Sequence, residues 1–220
     1  MPTIPVDARA GYRLWAETWD ATPSPIVAVE HRTLRPWMEE FQLRRAIDVG
    51  CGTGRWTARL GAIGLDASEE MLARAALKGG LRGRLAVADA GALPVASGAA
   101  DLVLCALTMG HLADPTPALR EFARVLASGG TLLLSDFHPA ATARGWRRTF
   151  RHEGQVYELE NHGHTLEQVR AAAGDLELVD CVEASIGEQE KTLFDAAGRP
   201  ELYEEACAVP AILATRWTRR

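Results

Sequence analysis

From Ala46 onward, short apolar runs alternate with stretches whose apolar positions recur every three or four residues. "RAIDVG" (45–50) reads as a strand running into a glycine loop, and "GRWTARL" (54–60) as a short helix. "AIGLD" (62–66) is a second strand, followed by the helical "SEEMLARAALK" (68–78) with Ser68 as its N-cap. "GRLAVAD" (83–89) and "ADLVLCAL" (100–107) are the third and fourth strands. "TPALREFARVL" (116–126) is a helix with Thr116 to cap it, Pro117 at its first position and Gly129–Gly130 to end it. "TLLLSDF" (131–137) makes a fifth strand. Strands that are apolar nearly throughout, in strict alternation with helices, predict a parallel sheet covered on both faces. Ligands of such sheets bind beyond the carboxyl ends of the strands.

The flanking regions have other rhythms. Residues 1–45 carry no β pattern; "YRLWAETWD" (12–20) sets Tyr12, Trp15, Ala16 and Trp19 at helical spacing, and "IVAVEHRTLRPWMEEF" (26–41) predicts a second helix after the break at "TPSP". Beyond Phe137, "RRTFRHEGQVYELEN" (147–161) predicts a hairpin turning near Glu153–Gly154. "TLEQVRAAA" (165–173) opens with a capping box, Thr165 with Gln168. "LELVDCVEASI" (176–186) and "CAVPAILATRW" (207–217) supply a closing antiparallel pair. There is no repeat or linker, so residues 1–220 read as one domain: a helical cap (1–45), a core (46–137), an insertion (138–165) and a C-terminal helix with closing strands (166–220).

Composition narrows the partners. The chain of 220 residues is 47% hydrophobic and 24% charged, an ordinary globular mixture. A formal net charge of −5 disfavours nucleic acid, whose binders show a basic footprint. Cys51, Cys105, Cys181 and Cys207 form no metal-ligand spacing, so reduced thiols, no metal site and a cytoplasmic location are expected. The longest apolar run, "LVLCALTM" (102–109), is too short to span a bilayer, so no membrane association is expected.

The chemistry concentrates in "AIDVGCGTGRW" (46–56). A dinucleotide loop has the spacing G-x-G-x-x-G; here Gly50, Gly52 and Gly54 are spaced G-x-G-x-G, with Asp48 two residues ahead. A carboxylate there repels pyrophosphate but attracts a ligand that carries an ammonium or sulfonium. S-adenosylmethionine is such a ligand. Asp66, at the end of the second strand, is placed to accept both ribose hydroxyls, a feature that NAD would share. Asp89, at the end of the third, is placed to accept from an adenine amino group.

With these residues in order, the chain resembles the class I S-adenosylmethionine-dependent methyltransferases, most closely the small-molecule branch with a UbiE-like, type 11 core. "IDVGCGTGRW", "IGLDASEEML", "VADAGALP" and "ADLVLCALTMGHLADP" match its successive motifs, and "LREFARVLASGGTLLLSDFHP" the helix and strand that follow. The resemblance is close over about residues 10–138 and loose beyond. It implies a Rossmann-like α/β fold: a mostly parallel seven-stranded sheet with helices on both faces, a closing antiparallel strand and a small hairpin lid. It implies S-adenosylmethionine as cofactor and S-adenosylhomocysteine as product. Tyr12 and Trp15 are expected to close over the cofactor, and Ala67, Met71, Ala90, Cys105 and Ala106 to line it beside the glycines and the three aspartates. Trp19 and Ser24 depart from the family's usual tyrosine and asparagine, and the short span from Gly54 to Asp66 implies a clipped first helix.

For the acceptor side, His111 after the fourth strand and His138 after the fifth are the candidate general bases. His111 is either a base or a structural hydrogen bonder. Substrate contacts are expected from Trp19, His111, His138, Trp146, Arg148 and Tyr157. Residues 144–164 are expected to form a substrate lid in which Arg144, Arg147, Arg148 and Arg151 meet a carboxylate or phenolate. The expected reaction is methyl transfer to oxygen, nitrogen or carbon of a small organic molecule, by a monomer or homodimer. A non-catalytic sensor of cofactor or product is the alternative.

Overall fold

A computed structural model describes residues 3–41 and 45–220. Its strands are β1 (Thr3–Val6), β2 (Ala46–Val49), β3 (Ile63–Asp66), β4 (Leu85–Val87), β5 (Ala100–Ala106), β6 (Leu126–Phe137), β7 (Arg148–His152), β8 (Gln155–Leu159), β9 (Leu176–Ser185) and β10 (Pro210–Arg219). The helices are α1 (Ala8–Trp15), α2 (Pro25–Glu39), α3 (Arg55–Leu60), α4 (Glu69–Ala75), α5 (Thr116–Val125), α6 (Pro139–Ala143), α7 (Leu166–Ala172), α8 (Lys191–Ala196) and α9 (Tyr203–Cys207). Seven strands form the main sheet in the order β4-β3-β2-β5-β6-β10-β9. The first five are parallel, and β10 runs antiparallel to both β6 and β9. Strand order reverses between β2 and β5, which opens a crevice at their carboxyl ends.

The side-chain period of a strand divides the core between two faces. Val103 and Cys105 of β5 pack with Leu119 and Phe122 of α5 on one side. Leu102 and Leu104 pack with Leu34 of α2, Trp56 of α3 and Phe194 of α8 on the other. Full burial of each such side chain is worth about 1.5–3 kcal/mol, so the sheet is fixed from both sides and the crevice has rigid walls. Beneath it, the buried Glu30 accepts from Trp56 Nε1 at 2.9 Å and from Arg55 Nη2 at 2.5 Å, which ties α2 to α3. No helix among the described residues is long and apolar enough to cross a membrane.

The hairpin is β7 and β8, turning at Glu153 and Gly154, both with positive φ. One expectation fails nearby: residues 3–6 are a strand, parallel to β8. β1 has four partly exposed residues with Pro5 among them, an edge strand held by backbone bonds to a partner about 150 positions away, so no local periodicity marks it. A third small core joins this sheet to α1. Trp15 stacks on Phe150 at 4.8 Å, and Phe150 on Tyr157 at 5.3 Å. A Cβ on Gly11 would fall 2.2 Å from Leu159 Cδ2, so glycine is what lets α1 approach β8 so closely.

Ser68 caps α4, and the capping box of α7 is formed as the sequence predicts. Thr116 does not cap α5; its amide donates instead to Asp114 Oδ1 at 2.9 Å. The helix stops at Val125, ahead of Gly129–Gly130, because Leu126 already adopts the extended conformation and pairs with Ala100.

Candidate functional site

The crevice holds a cleft of about 300 Å³, within the range of small-ligand sites. Asp48, Gly50, Gly52, Asp66, Ala67, Met71, Asp89, Ala90, Ala106 and His111, all expected there, do line it. Tyr12 and Trp19 close it from the cap. Three expected residues stand behind the lining instead. Gly54 caps α3 with φ +79°, where a Cβ would fall 2.6 Å from Leu81. Cys105 is fully buried on the sheet face under α5. Trp15 faces Phe150 rather than the cleft, because the apolar stripe of α1 packs on the hairpin.

The hydrogen bonds of four loop amides bear on what the loop can hold. Gly50 and Cys51 N–H donate to Leu65 O at 2.7 and 3.1 Å, Gly52 N–H to Asp66 Oδ2 at 2.7 Å, and Gly54 N–H to Cys51 O at 2.9 Å. Phosphate-binding loops keep such amides free to aim at the anion. Here they are occupied, and the groups that face the cleft are carboxylates. Asp48 is 2% exposed and accepts from Thr57 Oγ1 at 2.6 Å. Burial raises its pKa to about 6, so a cationic ligand group would meet a carboxylate that is poorly solvated and has much to gain. Burial also raises the Asp66 pKa; besides Gly52, Asp66 accepts from Ser68 N–H at 2.8 Å, and each oxygen keeps a further lone pair. Asp89 Oδ1 accepts from Gly91 N–H at 2.7 Å. This donor set fits S-adenosylmethionine, which offers an ammonium, a sulfonium, ribose hydroxyls and an adenine amino group.

Contacts that sequence reasoning missed hold the cap shut. Thr53 Oγ1 donates to Asp20 Oδ1 at 2.6 Å and accepts from Lys78 Nζ at 3.1 Å, while Lys78 and Asp20 pair at 2.9 Å. His111 Nδ1 lies 3.0 Å from the carbonyl oxygen of Glu160, which can only accept, so Nδ1 carries the proton. Nε2 is therefore a lone-pair acceptor, and the Tyr12 hydroxyl donates to it at 2.9 Å. Burial lowers the His111 pKa to about 4 and raises that of Tyr12 to about 12. Both are neutral across the physiological range.

The other acceptor-side expectations are redistributed. His138 is a helix cap: its Nδ1 accepts from Ala140 N–H at 3.1 Å, and its Nε2 lies 3.4 Å from Glu183. It does not line the cleft, because α6 starts immediately after it and turns the ring toward β9. Tyr157 belongs to the aromatic core of the hairpin, and Trp146 packs against the α2 side of the main core. Arg148 is 6% exposed and donates to Asn161 Oδ1 at 2.9 Å, to Leu107 O at 2.8 Å and to Asp136. With all of its nitrogens engaged, it is not a free cation awaiting a carboxylate. It clamps Leu107, whose φ of +56° is unusual for a branched side chain, against the rim of the cleft.

Arg148, Tyr12, Trp19 and Leu107 also bound a second cavity of about 140 Å³ behind the first. The signal for this clamp was absent from local sequence, since Asp136, Arg148 and Asn161 meet only through tertiary structure.

Residues 47–134 match the methyltransferase domain family. An uncharacterized protein of Mycobacterium tuberculosis is 38% identical over 134 residues, 60% of this chain and 45% of its own length. The demethylmenaquinone methyltransferase of Thermus thermophilus is 41% identical over 106 residues, 44% of this chain and 48% of its own. The chain thus spans about half the length of the curated relatives it matches. The crystal structure of an S-adenosylmethionine-dependent methyltransferase from Mesorhizobium loti superposes with a TM-score of 0.69 at 23% identity, over 88% of this chain and all of that one. Residues 47–134 thus carry a methyltransferase domain, and the whole has the Rossmann-like fold of S-adenosylmethionine-dependent methyltransferases. The cofactor that such a domain uses, S-adenosylmethionine, fits the donor set of this cleft.

Proposed function

We propose that the protein transfers a methyl group from S-adenosylmethionine to a small organic acceptor. The observation that carries this reading is the glycine loop whose amides already donate to protein acceptors while Asp48, Asp66 and Asp89 face the cleft. When bound, S-adenosylmethionine supplies a methyl group made electrophilic by its sulfonium. The chain's own part is placement. Asp66 is positioned for the ribose, Asp89 for the adenine and Asp48 for the cationic end, which fixes the direction in which the methyl points. Tyr12 and Trp19 line the cleft from the cap side, and holding acceptor and methyl in line is worth up to about 7–11 kcal/mol of the barrier. His111, with its tautomer fixed by Glu160, is the proton acceptor in reach for a protic substrate.

A small acceptor is favoured over nucleic acid because the net charge is −5 and the hairpin arginines Arg147 and Arg148 are paired with Glu158 and Asp136. The reading is tested by incubating the protein with methyl-labelled S-adenosylmethionine and a panel of phenols, amines and activated carbon acids. Label should appear in a small molecule, at a rate above the protein-free control. Tight binding of S-adenosylhomocysteine with no transfer to any acceptor class would favour the sensor alternative instead.

A further inference from the structure

The second cavity shares Tyr12, Trp19 and Leu107 with the cofactor cleft, so the two spaces adjoin at these three side chains. Resting on the methyltransferase reading above, we propose that this cavity is the acceptor chamber for a single uncharged, phenol-like ring, whose hydroxyl proton passes to Tyr12 as Tyr12 passes its own to His111.

Size and lining set the class of acceptor. The volume is about 140 Å³, and an apolar cavity of about 150 Å³ accommodates one benzene ring. Trp15, Ile26, Val27 and Phe137 supply flat or branched apolar walls. The two cations at the rim are both engaged. Arg148 holds Asp136, Leu107 O and Asn161, while Arg147 meets Glu158 at 3.3 Å and donates to the carbonyls of Thr142 and Trp146. A carboxylate entering here would lose its hydration and gain no free cation, which disfavours anionic acceptors.

The proton path follows from this boundary. Of its three residues only Tyr12 is titratable, and its hydroxyl hydrogen already points at His111 Nε2. The Tyr12 oxygen keeps two lone pairs; the Arg148 guanidinium in the same lining stands close enough to use one, which leaves the other for a donor in the chamber. As the acceptor oxygen forms its bond to the methyl carbon, the carbon–sulfur bond breaks and its electron pair neutralises the sulfonium. The acceptor proton moves to Tyr12 Oη, the Tyr12 proton moves to His111 Nε2, and the imidazolium returns it to solvent. Charge and atoms balance, with the positive charge of the sulfonium ending on the released proton.

The probe is 4-nitrophenol, whose phenol and phenolate forms differ in colour; 4-nitrotoluene, of the same shape without the hydroxyl, is the control. Binding is measured on the protein saturated with S-adenosylhomocysteine. The bound nitrophenol should keep the spectrum of the uncharged form and bind about fivefold more tightly than nitrotoluene, the effect of one net hydrogen bond. Tyr12→Phe should remove that difference while leaving nitrotoluene binding intact. Val27→Phe, which fills the chamber, should abolish binding of both. Bound phenolate, equal affinity of the wild type for the two probes, or no binding of either would overturn the proposal. Failure of the wild type to bind S-adenosylhomocysteine would instead overturn the methyltransferase reading beneath it.

Discussion

The Tyr12 hydroxyl donates to His111 Nε2 at 2.9 Å, and the opposite ring nitrogen of His111 donates to the Glu160 carbonyl at 3.0 Å. One imidazole thus joins the cap, the turn after β5 and the segment after the hairpin. His111→Ala would remove the partner of the half-buried Tyr12 hydroxyl and of the exposed Glu160 carbonyl, at a cost of about 0.5–1.5 kcal/mol for each bond lost. With a productive acceptor, the variant should also lose about 10²–10⁴-fold in kcat. Both readouts are needed: thermal destabilisation with an unchanged kcat would make His111 purely structural.

Stability should respond to pH through two opposed groups. His111 titrates at about 4 when folded against 6.5 unfolded, so between these values the unfolded chain binds more protons and this residue makes stability rise with pH. Asp48 titrates at about 6 when folded against 3.8 unfolded, so over its window it makes stability fall as pH rises. Urea titrations from pH 4 to 6.5 should show the difference. Relative to wild type, His111→Gln should gain a falling slope and Asp48→Asn a rising one, each on the order of 1–3 kcal/mol across the window. Equal slopes in all three proteins would remove both shifts.

Asp48 also sets the pH dependence of cofactor binding. The ammonium of S-adenosylhomocysteine favours the ionised carboxylate, so binding below about pH 6 should release a proton and weaken as pH falls. Calorimetry at pH 5 in two buffers of different ionisation enthalpy reads that proton directly. Asp48→Asn should abolish the release; its persistence would place the titrating group elsewhere.

Arg148 is a clamp rather than a substrate cation. Arg148→Ala strips the partner from the largely buried Asp136 and frees the Leu107 carbonyl, and removing one member of a buried pair costs about 3–5 kcal/mol. The melting temperature should fall by about 6 °C or more, since each kcal/mol shifts a domain of this size by about 2–4 °C. Arg148→Ala with unchanged stability and a selective rise in KM would restore the direct substrate role.

What the sequence revealed, and what it hid, divides by the range of the interactions. The strands β2 to β6, the helices α3, α4 and α5 among them, the Ser68 and Thr165 caps and the Glu153–Gly154 turn are encoded within a few residues, and the structure has them, although a loop and no helix joins β4 to β5. So are the cleft positions Asp48, Asp66 and Asp89, because the first two lie in or end strands β2 and β3 and the third follows β4 by two residues on a switch-point sheet. β1 was invisible because its strand partner among the described residues is the hairpin, far along the chain. Trp15 and Tyr157 read as ligand contacts, since helical or alternating spacing cannot tell an aromatic facing a cleft from one facing another aromatic. His138 and Arg148 had the right chemistry for an acceptor site, but α6 takes the first as a cap and Asp136 neutralises the second. The Asp20–Thr53–Lys78 latch joins three regions with no shared local signal.

The assignment of the cleft rests most directly on Asp66, which we propose receives both ribose hydroxyls. Calorimetry with S-adenosylhomocysteine and NADH should be run on the wild type and on Asp66→Ala, with circular dichroism to verify folding. The wild type should bind S-adenosylhomocysteine far more tightly than NADH. The variant should lose at least about a hundredfold in affinity, as charge-assisted bonds contribute about 1.5–3 kcal/mol each. Unchanged affinity in a folded variant, or tighter binding of NADH by the wild type, would contradict the cofactor site described here.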